Sequence, residues 1–520
     1  MVFTSFVCCF AILTHYFCFA LTLVFSPPLS LNLSLNLSLL VSSGFAQLAW
    51  KDIELQPQES CDLDSVTWVL NNLNIGGLSN SSDAQTHYLR DESKKLIGKL
   101  NGVTTKNSLW IDGCPGVGKS TTLFAWGRSL KKKILWVHFE NGKYTLVNFE
   151  NGEGKQCELY NTEIKWNDIV NFAVRNKFDV VLLDGIRDDM KNIFANIKHE
   201  SKCILVACSS YQSGGYNTEA ESKLSITYYH VSSWSFFDYT ESCRLGVLNL
   251  NNEELIATFY YAGGCFRYLS YDLDELKERL VRDISRVKDY KQILSGMQGE
   301  ASADAINSLM QRFGDATIVV SEYALKLLSA KVGMEFVSMA EKILPRNPSW
   351  QGWVFELKFM VKCQKEPSIT VYGVVDTSLE YTWNKKGEIS VFAYTDIPGS
   401  LDDNSWILPE KWNQGCFDAI FYHRKGVIDV IQITKAQDKH DFKFKYLPPF
   451  LEKFADGKKC QVNFIVVVSR SNCQSFKLSE SHITDVEVVR HYHAEWSMLS
   501  NMSIMCDERA FGEASTKKRK

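Results

Sequence analysis

Proline is scarce in this chain, 11 in 520 residues, and the 30 glycines are ordinary in number, so collagen-like and Pro-rich disordered classes are excluded. An excess of one charge is also absent: 57 Lys and Arg stand against 60 Asp and Glu, for a net charge of −3. Nothing draws the whole molecule to a polyanion, and any nucleic-acid contact has to come from a local patch. The 15 cysteines contain no CxxC pair and no Cys/His spacing suited to zinc; apart from Cys8-Cys9 they stand singly. An odd, scattered set suits a reducing compartment better than a disulfide scaffold, with most thiols acting as small buried apolar groups. No internal repeat is visible, which excludes solenoids and propellers.

What is present is globular. Hydrophobic residues make up 45% and charged residues 22%, and 520 residues are too many for one ordinary core, so two or three domains are expected. Met1–Phe25 is an uncharged apolar run long enough to cross a bilayer, but it has neither a basic n-region nor a small-x-small cleavage site. The low-complexity LSLNLSLNLSLL follows, with sequons at Asn32 and Asn36. A signal or membrane anchor, a misplaced start codon and a buried helix all fit this segment. A membrane partner is therefore expected only where the run is retained. The chain closes on Lys517, Lys518, Arg519 and Lys520, a cluster of the nuclear-import type or a solvated basic tail. The expected location is a nucleus, a host nucleus if the leader directs secretion.

After a leader over 1–50 and a polar lead-in segment over 51–100, strands alternate with helices. A helix is expected at Ala84–Leu100, and strands at Ser108–Asp112, Ile134–Glu140, Tyr144–Phe149 (a hairpin strand), Asp179–Leu183 and Cys203–Ala207. Helices are expected at Lys165–Asn176 and Asp188–Lys198. Continuous apolar strands in a βαβ rhythm argue for a parallel sheet covered on both faces. A mostly helical stretch, Asp272–Leu344, completes a domain over 101–345. Pro345 and Pro348 mark the boundary to a second α/β region over 346–500, with a helix at Trp353–Cys363. Strands are expected there at Thr370–Asp376, Ile389–Tyr394, Ala419–His423, Ile428–Ile433 and Val462–Val468, and residues 501–520 form the basic tail.

The sharpest motif is WIDGCPGVGKSTTLFAW. It fits G-x-x-x-x-G-K-[ST] through Gly113, Cys114, Pro115, Gly116, Val117, Gly118, Lys119 and Ser120, with Thr121 next, after an apolar strand and at the start of a helix. Glycines let the backbone aim its N–H groups at phosphate, and the helix N-terminus adds a favourable dipole. Lys119 is expected on the β- and γ-phosphates of ATP or GTP, and the Ser120 hydroxyl on Mg²⁺. In FDVVLLDG an apolar strand ends at Asp184, the expected partner for that Mg²⁺. Gly185 stands where a water-activating carboxylate most often follows, leaving Asp188 or Asp189 as substitutes or hydrolysis slow. Ser209 and Ser210, after CILVAC, are candidate sensors of the γ-phosphate. Arg267, in FYYAGGCFRYL, is either aimed at the γ-phosphate or part of a structural salt bridge.

Together, the P-loop with its flanking tryptophans, SSWSFFDYTES, YYAGGCFRYL and LPRNPSWQGWVFE resemble the Crinkler and retrotransposon-hot-spot class of effector proteins over about Asn107–Arg470. That resemblance implies a P-loop NTPase of the AAA-like/STAND kind followed by a smaller α/β nuclease-like domain of the restriction-endonuclease fold. The ubiquitin-like header with an LFLAK-type motif, which implies host translocation in that class, has no counterpart here. The resemblance also implies a metal site with a helix Glu, a strand Asp, and an acid or Gln followed by Lys. The matching residues are Glu356, Asp418, Gln432 and Lys435, with Glu356, Asp418 and Gln432 as metal ligands.

Thr434 stands where the lysine is usual, and the pleat turns Lys435 to the other side of the strand unless it bulges. His440 is a further polar candidate. Lys439, Lys443 and Lys445, interleaved with Phe442, Phe444 and Tyr446, form either a phosphate-tracking edge or a solvated strand. The function implied is an NTP-dependent DNA nuclease capable of self-assembly; the alternative is a nucleotide-dependent signalling or DNA-binding switch on a degenerate nuclease fold.

Overall fold

The computed structural model describes residues 51–54, 67–70, 85–140, 142–150, 153–160, 166–186, 191–200, 202–209, 225–295, 306, 308–313, 316–374, 379–392, 399–410, 417–435, 442–444, 447–454, 460–473, 475–476, 483–484 and 502–506. The apolar leader, Asn32, Asn36, Asp188, Asp189, Ser210, Lys439, His440, Lys445, Tyr446 and the basic tail lie outside them. Among the described residues no helix is long and apolar enough to cross a membrane. The chain divides into two compact units, one of Met1–Asp112, Lys119–Ser209 and Gly215–His230, the other of Gly113–Gly118, Ser210–Gly214 and Val231–Lys520. The expected boundary at Pro345–Pro348 falls inside the second unit.

In the first unit β1 (Lys51–Glu54), β4 (Ser108–Asp112), β5 (Ile134–Glu140), β6 (Lys143–Glu150), β7 (Glu153–Tyr160), β8 (Val180–Asp184), β9 (Ile204–Cys208) and β10 (Ile226–His230) form one sheet. Its order is β1-β7-β6-β5-β8-β9-β4-β10. The five strands from β5 to β10 run parallel. Beyond them β6, β7 and β1 extend the sheet antiparallel, so the expected parallel sheet carries an antiparallel extension that begins with the hairpin strand expected at Tyr144–Phe149. The helix expected from Ala84 starts later, as α1 (Asp91–Asn101). Before it, β3 (Gln85–Tyr88) pairs with β2 (Thr67–Leu70). Asp91 and Glu92 in the first turn of α1 and Lys99 in its last suit the helix dipole.

Both faces of the parallel part are covered. On one, α2 (Lys119–Ser129) sets Phe124 edge-on to Trp136 at 5.2 Å, and Gly127 lies so close to Leu182 that a Cβ would stand 2.7 Å from it. On the other, α3 (Trp166–Arg175) and α4 (Lys191–Glu200) bury Ile169, Val170, Phe194 and Ile197 against Trp110, Leu135, Val137 and Leu183.

The second unit begins with helices α5 (Phe236–Arg244), α6 (Asn252–Ala262), α7 (Leu273–Arg286) and α8 (Lys291–Ser295), with a 3₁₀ turn at Phe266–Ser270. A hairpin, β11 (Met310–Phe313) and β12 (Ala316–Val319), interrupts the expected helical run before α9 (Glu322–Val332) and α10 (Met334–Ile343). The helical pattern is interrupted between Ile343 and Pro348, as expected, and Pro348 itself occupies the first turn of α11 (Pro348–Lys365), where its missing N–H costs nothing, behind the Asn347 cap.

The second sheet contains β13 (Ser368–Gly373), β14 (Glu380–Asn384), β15 (Ser390–Phe392), β16 (Ser405–Pro409), β17 (Ala419–Arg424), β18 (Val427–Thr434), β20 (Gln461–Val468) and β22 (Met502–Cys506), ordered β14-β13-β22-β20-β18-β17-β16-β15. β19 (Phe442–Lys443) and β21 (Ile483–Thr484) form a separate parallel pair. Alternation along β18 assigns its faces: Ile428 and Val430 join the core with Phe450, Leu451 and Phe454 of α12 (Pro448–Phe454). On α11, Phe359 meets Trp383 and Trp406 edge-on.

Candidate functional site

Connections in the parallel sheet reverse direction at β4. The helix after β4 covers one face and the helices after β7 and β8 the other, and open α/β sheets bind ligands at the carboxyl ends of strands where such a reversal occurs. Asp112, Asp184, Ser209 and His230 end or follow their strands at that edge, with His138 two residues before the end of β5.

Gly113, Gly116 and Gly118 have φ of 151°, 75° and 90°, values L side chains rarely adopt. Gly116 is also crowded: a Cβ there would stand 2.7 Å from Cys265 Sγ and 2.9 Å from the Arg267 amide nitrogen. Arg267, in the 3₁₀ turn, thus packs its backbone on the loop. Lys119, the first residue of α2, is buried, and the Ser120 hydroxyl donates to Asp184 Oδ1 at 2.8 Å. Asp184 Oδ2 lies 2.7 Å from His138 Nδ1. Burial pushes the Asp184 carboxyl up, and the His138 imidazole with bonds from Ser120 and Cys208 more than offsets it, leaving the group below its ordinary range. Burial and the Asp184 charge push the neighbouring Cys208 thiol well up, partly opposed by the Lys119 ammonium. Ser209 is buried and its amide donates to Ile111 O.

Gly185 has a steric explanation. Its φ is 79°, and a Cβ would lie 2.4 Å from Phe139 O, so no glutamate fits directly after Asp184. The group that β5 presents to Asp184 is His138. A second acid–imidazole pair, absent from the sequence expectations, joins the ends of β4 and β10: His230 Nδ1 bonds Asp112 Oδ1. Asp112 is fully buried, and its Oδ2 has no hydrogen-bond partner among the described residues. The sequence signal was an acid closing an apolar strand directly before Gly113.

In the second unit, Asp418 immediately precedes β17, and its Oδ2 accepts from Gln432 Nε2 and from the Ile433 amide at 2.6 Å. Burial pushes the Asp418 carboxyl up, partly opposed by that amide. Glu356, in the middle of α11, is pushed well up by burial and then by the negative charges of Asp418 and Glu322. The two carboxylates therefore repel one another in a poorly hydrated place. Gln432 is buried, and its Oε1 has no hydrogen-bond partner among the described residues.

The orphaned amide oxygen of Gln432, whose Nε2 bonds Asp418, together with Asp418 and the Glu356 carboxyl that feels its charge, is a donor set that fits a hard divalent cation. Among the described residues no group of three or more His, Cys, Asp and Glu forms a metal-binding cluster, so that set has two carboxylates and one amide. Lys435 does not join it: its Nζ donates to Gln351 Oε1 at 2.8 Å, on α11. Another buried carboxylate the sequence did not single out is Asp429, which accepts from Tyr381, Trp383, His423 and Asn463 at 2.7–2.8 Å and ties β14, β17, β18 and β20 together.

No family model matches the chain, and no curated protein does. Solved structures with partial likeness include a Signal Transduction ATPase with Numerous Domains (STAND) protein with a tetratricopeptide repeat sensor from Pyrococcus horikoshii. It is 11% identical at a TM-score of 0.22, over 52% of this chain and 50% of that one, so this chain spans half its length. A RuvB variant from Thermotoga maritima is 13% identical at a TM-score of 0.28, over 46% and 94%. Cdc6p from Pyrobaculum aerophilum is 8% identical at a TM-score of 0.23, over 51% and 99%. At such identities the chemistry is to be argued from the chain's own residues.

Proposed function

We propose that the chain binds a nucleoside triphosphate on its P-loop and uses it to control a divalent-cation, DNA-cleaving site in its second unit. The observation that carries the first half is the 2.8 Å bond from Ser120 to Asp184 beside buried Lys119, at the carboxyl edge where the sheet reverses. Loop amides freed by Gly113, Gly116 and Gly118 receive phosphate oxygens, and Lys119 neutralises the β- and γ-phosphates of ATP or GTP. Ser120 and Asp184 would hold Mg²⁺, which supplies charge neutralisation between the phosphates when bound. His138 fixes the orientation of Asp184.

For the second half, Glu356, Asp418 and Gln432 would hold the cation, which supplies polarisation of a scissile phosphate. Gln432 Nε2 and the Ile433 amide orient Asp418. The support for pairing the two halves is the Crinkler and retrotransposon-hot-spot resemblance of the sequence. Action in a nucleus, from the Lys517–Lys520 tail, and self-assembly through the nucleotide-binding part belong to the same proposal. The bond from Lys435 to Gln351 favours a second reading, in which the site holds DNA without cutting it.

Fluorescent mant-ATP and mant-GTP titrations test the first half: wild type should bind at least one of them and Lys119→Ala neither. Plasmid nicking with Mg²⁺ tests the second: wild type should nick and Asp418→Ala should not. DNA retardation without nicking by wild type would select the second reading.

A further inference from the structure

Within the second unit, a continuous set of contacts without slack runs from the phosphate loop to the strand beside Asp418. It starts at Gly116, where a Cβ would meet Cys265 Sγ at 2.7 Å and the Arg267 nitrogen at 2.9 Å. The turn holding Arg267 is fixed by Phe266, stacked on Trp234 with ring centroids 4.3 Å apart. Just before it lies the Gly263-Gly264 elbow. Gly263 has φ of 54°, and a Cβ there would overlap Val320 O at 1.6 Å; a Cβ on Gly264 would meet Gln311 Oε1 at 2.5 Å and Ser233 Cβ at 2.6 Å. The Gly264 amide donates to Val320 O and Gln311 Oε1. Val320 directly precedes Ser321, the cap of α9. The elbow is thus fastened to the start of that helix.

Two helices then meet on one carbonyl. Tyr260, in the last turn of α6 before the elbow, donates its hydroxyl to Glu410 O at 2.9 Å. Lys326 of α9 donates to the same oxygen at 2.9 Å and also bonds Pro409 O. Lys277 of α7 approaches Glu410 Oε1 at 3.5 Å. Tyr260, Tyr261 and Tyr323 lie with ring centroids 4.9–6.1 Å apart and join α6 to α9. Pro409 closes β16, whose Ile407 pairs with Ile420 of β17, two residues beyond Asp418. Close-packed protein transmits a displacement instead of absorbing it, because its packed arrangements are discrete.

We infer that the Gly263-Gly264 elbow, the Tyr260 and Lys326 contacts on Glu410, and strand β16 form a mechanical link through which nucleotide on the P-loop alters the Asp418 site. The link rests on the nucleotide reading above, and by linkage a ligand at Asp418 acts back on nucleotide affinity. It requires no contact between nucleotide and the second sheet.

Hydrogen–deuterium exchange on the full chain tests it, comparing Mg²⁺ alone with Mg²⁺ plus ATPγS, after mant-ATP binding has been measured on the same preparations. Peptides covering 405–410 and 428–434, which include the Ile433 amide on Asp418, should change exchange rate by about fivefold or more in wild type, the lower end of ordinary coupling. In Lys326→Met and in Tyr260→Phe, which removes one hydroxyl, mant-ATP should still bind while that change shrinks toward the Mg²⁺-only rate. If Lys326→Met does not fold, Tyr260→Phe decides alone. Bound nucleotide with no change in these peptides overturns the link, as does an undiminished change in the folded variants. Failure of wild type to bind mant-ATP or mant-GTP refutes the nucleotide reading itself and takes the link with it.

Discussion

Glu322→Gln should stabilise the chain at alkaline pH and have little effect in acid. Glu322 opens α9 behind the Ser321 cap, and burial lifts its carboxyl from 4.5 to about 7. Between those values the folded chain holds a proton that the unfolded chain has released. The stability this contributes is fully present below 4.5 and is lost as pH rises through 7. The gap between 4.5 and about 7 corresponds to roughly 3 kcal/mol. The start of a helix favours an ionised carboxylate by about 0.3–1 kcal/mol, which leaves a penalty of roughly 2–3 kcal/mol when both effects are counted. Glutamine is neutral throughout and keeps the acid-side stability. Urea unfolding followed by tryptophan fluorescence should therefore show the variant more stable by that amount at about pH 8, the gain shrinking below about 1 kcal/mol at pH 5. An equal gain at both pH values, or a loss at pH 8, would refute the assignment of a buried, charge-disfavouring site.

Asp429→Ala should destabilise by about 3–5 kcal/mol, read as a lower urea midpoint, because buried Trp383 and the half-buried Tyr381, His423 and Asn463 all lose their acceptor. Gly263→Ala combines a φ of 54° with a 1.6 Å overlap on Val320 O and should cost more than about 4 kcal/mol or abolish soluble expression. Gly185→Glu should destabilise the chain and leave ATP turnover no faster, since the new side chain collides with Phe139 O; a phosphate-release assay showing faster turnover would contradict the crowding there. Glu356→Gln should weaken cation binding, measured by calorimetry in nucleotide-free buffer, because one of the two carboxylates of the proposed donor set is lost.

Legibility in the sequence followed how local each determinant is. The strand Ser108–Asp112, the loop after it and the strand ending at Asp184 were readable because apolar runs and glycine spacing are local properties. Among the strands that escaped, β10 and β7 did so for different reasons. β10 is an edge strand whose residues are mostly half-buried, so ITYYH carries no apolar run. β7, EGKQCELY, alternates weakly, and its signal was the Asn151-Gly152 pair that precedes it.

The positions of Glu356, Asp418 and Gln432 could be proposed from residue types, but not the long-range contacts that give them character. Asp418 takes its orientation from the Ile433 amide, and Lys435 its partner from a helix more than 80 positions earlier in the chain. Asp429 and Asp112 read as ordinary strand residues until the strands around them are paired.

Gly185 bears on time. On the nucleotide reading proposed above, a triphosphate held by Lys119 and Ser120 would meet no acid directly after Asp184, since Gly185 leaves no room for one. Slow turnover there would make the duration of one loaded molecule, more than the supply of nucleotide, the quantity that reaches a controlled site.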